Sequence, residues 1–237
     1  MTLKVVSYGG GVDSTAMTLQ LLKNGECPDL IIFADTGAEW PETYGFIDRF
    51  DAWLRERNLG ITRIQCKEGP MYEYMVQRRW TPSRLYPSHI ERWKIRPIFQ
   101  YLKTWRNGQP VEMCIGIDYD EADRIASPRR KYVTNRYPLV EAGIGRRGAE
   151  ELIRGAGLPI PIKSGCFFCP YQQKRRWLRL KREHPDLFLL ARRLEETGKF
   201  FPRKTLFYGG PLKVLDNLVD GNETLDISCK EAEMCGV

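Results

Sequence analysis

Three consecutive glycines, Gly9, Gly10 and Gly11, follow the apolar run LKVVSY and lead into Asp13, Ser14 and a helical pattern. Glycines between a strand and a helix let backbone N–H groups approach a phosphate, and the helix N-terminus favours an anion there. A carboxylate at Asp13 opposes that use unless a divalent cation accompanies the phosphate. A Walker loop is excluded because no lysine follows the glycines. A dinucleotide fingerprint is met by Gly9 and Gly11, with Asp35 at a suitable distance. Its third glycine, however, is replaced by Ser14, and Asp13 would repel a bare pyrophosphate. The pattern therefore reads as a loop for the pyrophosphate end of a nucleoside triphosphate arriving with Mg²⁺. Loop N–H groups and the hydroxyls of Ser7 and Ser14 would hold phosphate oxygens, and Asp13 would serve the cation.

Seven cysteines form an odd set in a chain that begins without a secretory pattern, which argues against a disulfide framework. Cys27, Cys66 and Cys114 read as small buried residues. Cys166 and Cys169 form C-x-x-C, a spacing suited to two metal thiolates, a redox pair, or two ligands of an iron–sulfur cluster. Cys229 and Cys235 are placed to complete a four-thiolate set, as [4Fe–4S] or zinc. The formal charge is +7, and six of the nine residues from Lys174 to Arg182 are basic. On a helix Arg175, Arg179 and Arg182 share one face, so with Lys174 they either track a nucleic-acid backbone, with Trp177 stacking on bases, or form a solvated face. Lys94 and Arg96, in RWKIRP, are candidates for phosphate contact. Asp118, Asp120, Glu121 and Arg124, in DYDEADR, either orient a substrate or form a helix N-terminal turn.

These residues need elements to position them. Strands are expected at 3–8, 30–34, 61–65 and 111–117, alternating with helices over 13–24 and from Pro41 onward; Ala16, Leu19 and Leu22 form the apolar face of the first. That alternation implies a parallel sheet covered on both faces, with ligands at the strands' carboxyl ends, where the loops after Tyr8 and Ala34 converge. Beyond about residue 135 helical segments dominate, at 147–156, 171–183 and 186–197. The expected organisation is an α/β core over 1–135 and a helical subdomain over 136–237, integrated as one domain. No apolar run approaches the ~20 residues of a membrane span, and a cytoplasmic location is expected.

The stretch SYGGGVDST resembles the S-x-G-G-x-D-S loop of the PP-loop ATP pyrophosphatase superfamily. FADTGAEWPETYGFIDRF is similar to a block of its phosphoadenylyl-sulfate (PAPS) reductase-like branch. RWKIRPI, GIDYDEADRI, RYPLVEAGI and GCFFCPYQ follow in that branch's order. The resemblance implies an adenine-nucleotide α-hydrolase-like, Rossmann-like parallel sheet sandwich with a helical C-terminal part. It also implies ATP and Mg²⁺ at Ser7, Gly9, Gly10, Gly11, Asp13 and Ser14, and adenosine beside Asp35, Thr36 and Gly37. Asp13, Ser14 and Lys94 would then act in transfer of AMP to a substrate oxygen, with Arg96 and Arg124 toward the substrate. Branch members with a [4Fe–4S] cluster carry a cysteine about five residues before the lysine of the K-x-x-P block, where this sequence has His89. GCFFCPYQ and YPLVE look most like the ATP pyrophosphatases of DNA phosphorothioation systems, which implies DNA (or RNA) as substrate and a cysteine desulfurase as sulfur donor. The alternatives are a PAPS or APS (sulfonucleotide) reductase, a tRNA-thiolating PP-loop enzyme, and a non-catalytic adaptor. The ending EAEMCGV shares only Cys235-Gly236 with the reductases' E-C-G-[IL]-H.

Overall fold

The computed structural model describes residues 1–84, 87–198, 205–207 and 211–215. Its centre is a five-stranded sheet built from β1 (Leu3–Tyr8), β2 (Leu30–Asp35), β3 (Ile61–Gln65), β4 (Val111–Ile115) and β5 (Val133–Arg136). The spatial order is β3-β2-β1-β4-β5 and every pairing is parallel. This is the α/β, Rossmann-like class expected from the alternation. β5 was not expected: its sequence, VTNR, has neither an apolar run nor a buried alternation, and an edge strand needs only one good neighbour. β4 ends at Ile115, two residues short of the expected end.

The helices are α1 (Val12–Lys23), α2 (Pro41–Arg55), α3 (Met71–Arg78), α4 (Ser88–Ile90), α5 (Arg96–Trp105), α6 (Pro138–Glu141), α7 (Arg146–Gly155), α8 (Lys174–Glu183) and α9 (Pro185–Thr197). Proline opens α2, α6 and α9, where its fixed φ suits the first turn and its missing N–H costs nothing. Between α4 and α5 the backbone widens into a π turn over Glu91–Ile95. Pro97 has no N–H to return to Trp93, so an ordinary α turn there would be both unbonded and crowded.

Three apolar clusters hold these layers. On one face α1, α2 and α7 cover the sheet through Met17, Leu21, Phe50 and Ile153. On the other, Leu102 of α5 meets Val5, Ile32 and Met113. The third gathers Trp40, Met75, Trp93, Phe168, Trp177, Leu180 and Leu194, so α3, α8 and α9 enclose a core beside the sheet. α1 is buried nearly all round, because α7 closes its outer side. Leu21 rather than Leu22 is the fully enclosed residue, unlike the expected stripe.

Candidate functional site

In a parallel sheet of this order the connections run to opposite sides of β1 and β4, leaving a crevice at their carboxyl ends. The glycines sit there. Gly9–Gly11 connect β1 to α1, and Gly10 has φ +71°, a left-handed conformation that a side chain resists. A Cβ at Gly10 would also lie 2.9 Å from Ile47 Cδ1. Gly11 caps α1 with extended backbone and no side-chain bond, so the first-turn N–H groups receive no cap, and helical bonding begins with Thr15 N–H to Gly11 O at 3.2 Å. Ser14 turns back on the loop: its Oγ accepts from Gly9 N–H at 3.1 Å and donates to Gly11 O at 3.3 Å. Ser7 lies within β1, beside Ile32 and Ile115. Across the crevice, Gly116 follows β4, and a Cβ there would come within 2.6 Å of Ser14 N.

Asp13 stands beside this loop. Burial raises its carboxyl above the usual range, the charge of Asp118 raises it further, and Arg146 opposes both. Arg146, at the start of α7, approaches Asp13 Oδ1 at 3.4 Å and binds Glu150 at 3.1 Å. Asp118 is buried and caps the following 3-10 turn, accepting from Glu121 N–H at 3.1 Å. Asp120 is committed too, accepting from Arg146 N–H at 2.8 Å. Of the two readings of DYDEADR, the helix-turn one describes what these acids do. Arg124 is exposed and pairs with Glu121.

The loop after β2 meets the C-x-x-C turn. Asp35 accepts from Gly37 N–H at 2.9 Å and from Tyr44 Oη at 2.7 Å, so it shapes its own loop. Thr36 is fully buried, with its hydroxyl 3.8 Å from Cys166 Sγ. Glu39 and Cys166 form an antiparallel bridge, and Phe167 N–H donates to Ala38 O at 2.9 Å. Glu39 has no exposed side-chain surface and accepts from Lys94 Nζ at 3.0 Å and Gly165 N–H at 2.8 Å. Burial pulls the Lys94 ammonium down, but Glu39 and the two cysteines more than reverse it, so Lys94 is held charged. The π turn thus turns Lys94 onto Glu39, while Arg96 stays exposed.

Cys166 and Cys169 come together in one turn, Cys169 N–H donating to Cys166 O at 3.0 Å. Burial raises both thiols above their ordinary range. Cys229 and Cys235 lie outside the described residues, and among the described residues no group of three or more His, Cys, Asp or Glu is placed to hold a metal. The two thiols therefore supply half of the expected four-thiolate set. His89 is buried with Nδ1 unpartnered, and burial followed by the charge of Lys94 lowers it to about 4. Cys66 and Cys114 are buried as expected; Cys27 is exposed, correcting its expectation, because it falls in the connection before β2.

The basic helix differs most from its reading. Trp177 is fully buried, so it packs the third core and cannot stack on bases. Arg179 binds Glu183 at 2.6 Å and Glu42 at 3.2 Å, and Arg182 binds Glu183 at 2.9 Å. Helical spacing alone did not show that these glutamates hold two of the three arginines. Arg175 and Arg179 instead line a cavity of about 310 Å³ together with Arg176, Lys163, Trp40 and both cysteines of the turn. Ser164, on its wall, would lie 3.0 Å from a Cβ at Gly11, so the cavity adjoins the glycine loop. Glu39, Arg146, Ser164 and Arg176 escaped the sequence reading: nothing in their spacing sets them apart, Arg176 even from the other cations of its basic stretch, and only long-range contacts give each its place.

Known proteins show similarities. An uncharacterized protein of Methanocaldococcus jannaschii is 24% identical over 196 residues, covering 77% of this chain; the chain spans 45% of that relative's length. A crystal structure of PAPS reductase from Candida auris, in a phosphate complex, aligns with a TM-score of 0.47 and 15% identity, over 68% of this chain and 74% of that one. The U34-tRNA thiolase NcsA from Methanococcus maripaludis, with its [4Fe-4S] cluster, gives 0.44 and 15%, over 85% and 74%. The phosphoadenosine phosphosulfate reductase domain matches residues 4–128, which hold all five glycine-loop and Asp13–Ser14 positions and the loop after β2. With more than half of its length so matched, from β1 to the turn after β4, the chain belongs to the phosphoadenosine phosphosulfate reductase domain family.

Proposed function

We propose that this chain is an ATP pyrophosphatase that adenylates a substrate oxygen and so prepares it for replacement by sulfur. One observation carries this reading: an uncapped helix start behind a left-handed glycine, at the crevice between β1 and β4, with a carboxylate in the same turn. The uncapped N–H groups and Ser14 Oγ suit phosphate oxygens. Asp13 and Asp118 suit a cation carried in by those phosphates, because their mutual repulsion is relieved by one. Mg²⁺ bound there would neutralise charge on the leaving pyrophosphate.

The acceptor oxygen attacks the α-phosphorus, and the bond from that phosphorus to the oxygen bridging the β-phosphate breaks. The loop N–H groups receive the charge that develops on pyrophosphate. Asp35, Thr36 and Gly37 flank the adenosine side. A sulfur nucleophile from a cysteine desulfurase then displaces AMP together with the activated oxygen. DNA backbone phosphate is the acceptor we favour, on the strength of the basic residues beside the loop; RNA is its alternative. Cys166 and Cys169, completed by Cys229 and Cys235, are proposed to ligate an iron–sulfur cluster, ahead of zinc.

The family match favours sulfonucleotide reduction as the second reading. Measuring pyrophosphate and AMP release from ATP and Mg²⁺, with and without DNA, separates the two. Release stimulated by DNA is expected. Absence of release, with thioredoxin-dependent sulfite formed from phosphoadenylyl sulfate, would reverse the assignment.

A further inference from the structure

The end of α3 interleaves basic and aromatic residues that the nucleotide site does not use: QRRWTPSR, with Tyr74 a turn earlier and Arg92 and Trp93 in the π turn. Folding gathers them. Tyr74 and Trp80, both half-buried, pack against the fully buried Trp93 with ring centres 5.0 and 5.8 Å away. Trp93 is itself fixed by its Nε1–H, which donates to Gly69 O at 3.0 Å. The Arg92 guanidinium lies 5.4 Å from the Tyr74 ring centre and 5.6 Å from that of Trp80, and Arg78 lies 5.5 Å from Tyr74.

Two observations set these cations apart. Arg55, Arg63, Arg136 and Arg147, on other faces, each hold a carboxylate. Arg78, Arg79 and Arg92 hold none among the described residues; the neighbouring Glu91 is taken by Arg129 and Glu68 by the Cys66 thiol. The second observation is the backbone of Arg79. It closes α3 at φ 51° and ψ 41°, the left-handed position of a turn in which Trp80 N–H reaches back to Met75 O at 2.8 Å. Glycine fills that position without strain. The other non-glycine residues with positive φ, among those described, are Asn58 and Asn107, and asparagine tolerates it well. Arg79 is exposed, and its guanidinium makes no hydrogen bond or ion pair among the described residues that would offset the strain.

We propose that the surface formed by Arg78, Arg79, Trp80 and Arg92 binds single-stranded nucleic acid. Arginines without a carboxylate meet phosphates without first breaking an ion pair. A guanidinium set over a ring, as Arg78 is over Tyr74, offers its outer face to a base, and Trp80 offers a second stacking surface. A duplex keeps its bases stacked on one another and gains nothing from such rings, which selects the single strand. The exposed Tyr171, its ring centre 5.4 Å from the Arg84 guanidinium, continues the same pattern toward the C-x-x-C turn. This surface serves the nucleic-acid acceptor proposed above and rests on that reading for what the strand undergoes; binding itself is measured without ATP.

The test is fluorescence anisotropy of the full chain with three labelled probes of about 12 nucleotides: single-stranded DNA, RNA of the same sequence, and the DNA duplex. Either single strand is expected to bind at least roughly tenfold more tightly than the duplex, the effect of stacking one base, and the tighter of the two identifies the strand. For three arginines on a single strand, log affinity should fall with log salt at a slope of about −2. Arg79→Gln should weaken binding about fivefold near 0.1 M salt and reduce that slope by about 0.7. Arg79→Gly should weaken it equally yet raise the melting temperature by about 2 °C, because glycine relieves the left-handed backbone. Trp80→Ala should weaken it about tenfold. If that variant does not fold, Arg78→Gln with Arg79→Gln, both exposed, replaces it, with about 20-fold weakening expected. ATP affinity should stay within about twofold in every variant. A parent that releases pyrophosphate but binds no strand would sink this surface alone; one that binds the strand but releases none would sink adenylation alone. No binding by any probe, equal affinity for duplex and single strand, or parent-like binding in the folded variants would overturn the proposal.

Discussion

Replacing Lys94 by methionine removes the ammonium 3.0 Å from Glu39 and leaves a carboxylate with no exposed side-chain surface. Stranding one member of a buried pair costs about 3–5 kcal/mol. The bond from Gly165 N–H to Glu39 survives and carries part of the charge, which places the expected loss near the lower end, about 3 kcal/mol. The reverse change is milder. In Glu39→Gln the stranded group is Lys94, whose side chain is 36% exposed, so water takes over and about 1 kcal/mol is lost. In Lys94→Met with Glu39→Gln no charge is stranded, and the double variant should lose about 1–2 kcal/mol, less than the sum of the singles. For a chain of this length the melting temperature should fall by about 6–12 °C in Lys94→Met and about 2–4 °C in Glu39→Gln. Urea unfolding at neutral pH checks the energies. Because Lys94 is held charged above its ordinary range, its contribution is fully present below the unfolded lysine value and is lost only as pH rises through the folded one. The loss should therefore be constant between pH 6 and 9 by roughly the experimental error of extrapolation. Equal costs for the two singles, or strict additivity in the double, would refute the pairing. A stable Lys94→Met protein that binds ATP but releases no pyrophosphate would instead return Lys94 to the triphosphate.

The other expectations are shorter. Asp13→Asn should lower Mg²⁺-dependent pyrophosphate release at least tenfold without loss of stability; the Asp13 carboxyl is raised by burial and Asp118, so the variant should be slightly the more stable at neutral pH, with the difference vanishing as pH falls below the unfolded aspartate value. Gly10→Ala should cost about 1–3 kcal/mol, from the left-handed backbone and contact with Ile47, and an unchanged unfolding midpoint would refute the tight approach. Alkylation followed by mass mapping should modify Cys27 well before Cys66, Cys114 or Cys166, which are buried; comparable rates would contradict the packing. Anaerobic purification should give a brown protein whose colour disappears with Cys166→Ser and Cys169→Ser together, and a colourless parent would remove iron–sulfur.

Much of this protein was legible in one dimension because the relevant physics is local. Apolar runs such as LIIFA must be buried on both faces, and their alternation with helical periodicity leaves a parallel sheet as the economical arrangement. The glycines at 9–11 report a backbone requirement, and Asp13 follows within a turn of the same helix, so neighbours in sequence remain neighbours in space. The basic stretch 174–182 shows where local reasoning ends. Its spacing fixed which residues share a helical face, but burial of Trp177 depends on Trp40 and the core that α3 and α9 close, and capture of Arg179 on Glu42 of α2, more than a hundred residues earlier. The strand order, the Lys94–Glu39 pair and the placing of Arg176 over Trp40 were likewise decided by tertiary structure alone, because charge pairing and desolvation depend on distances that a sequence does not contain.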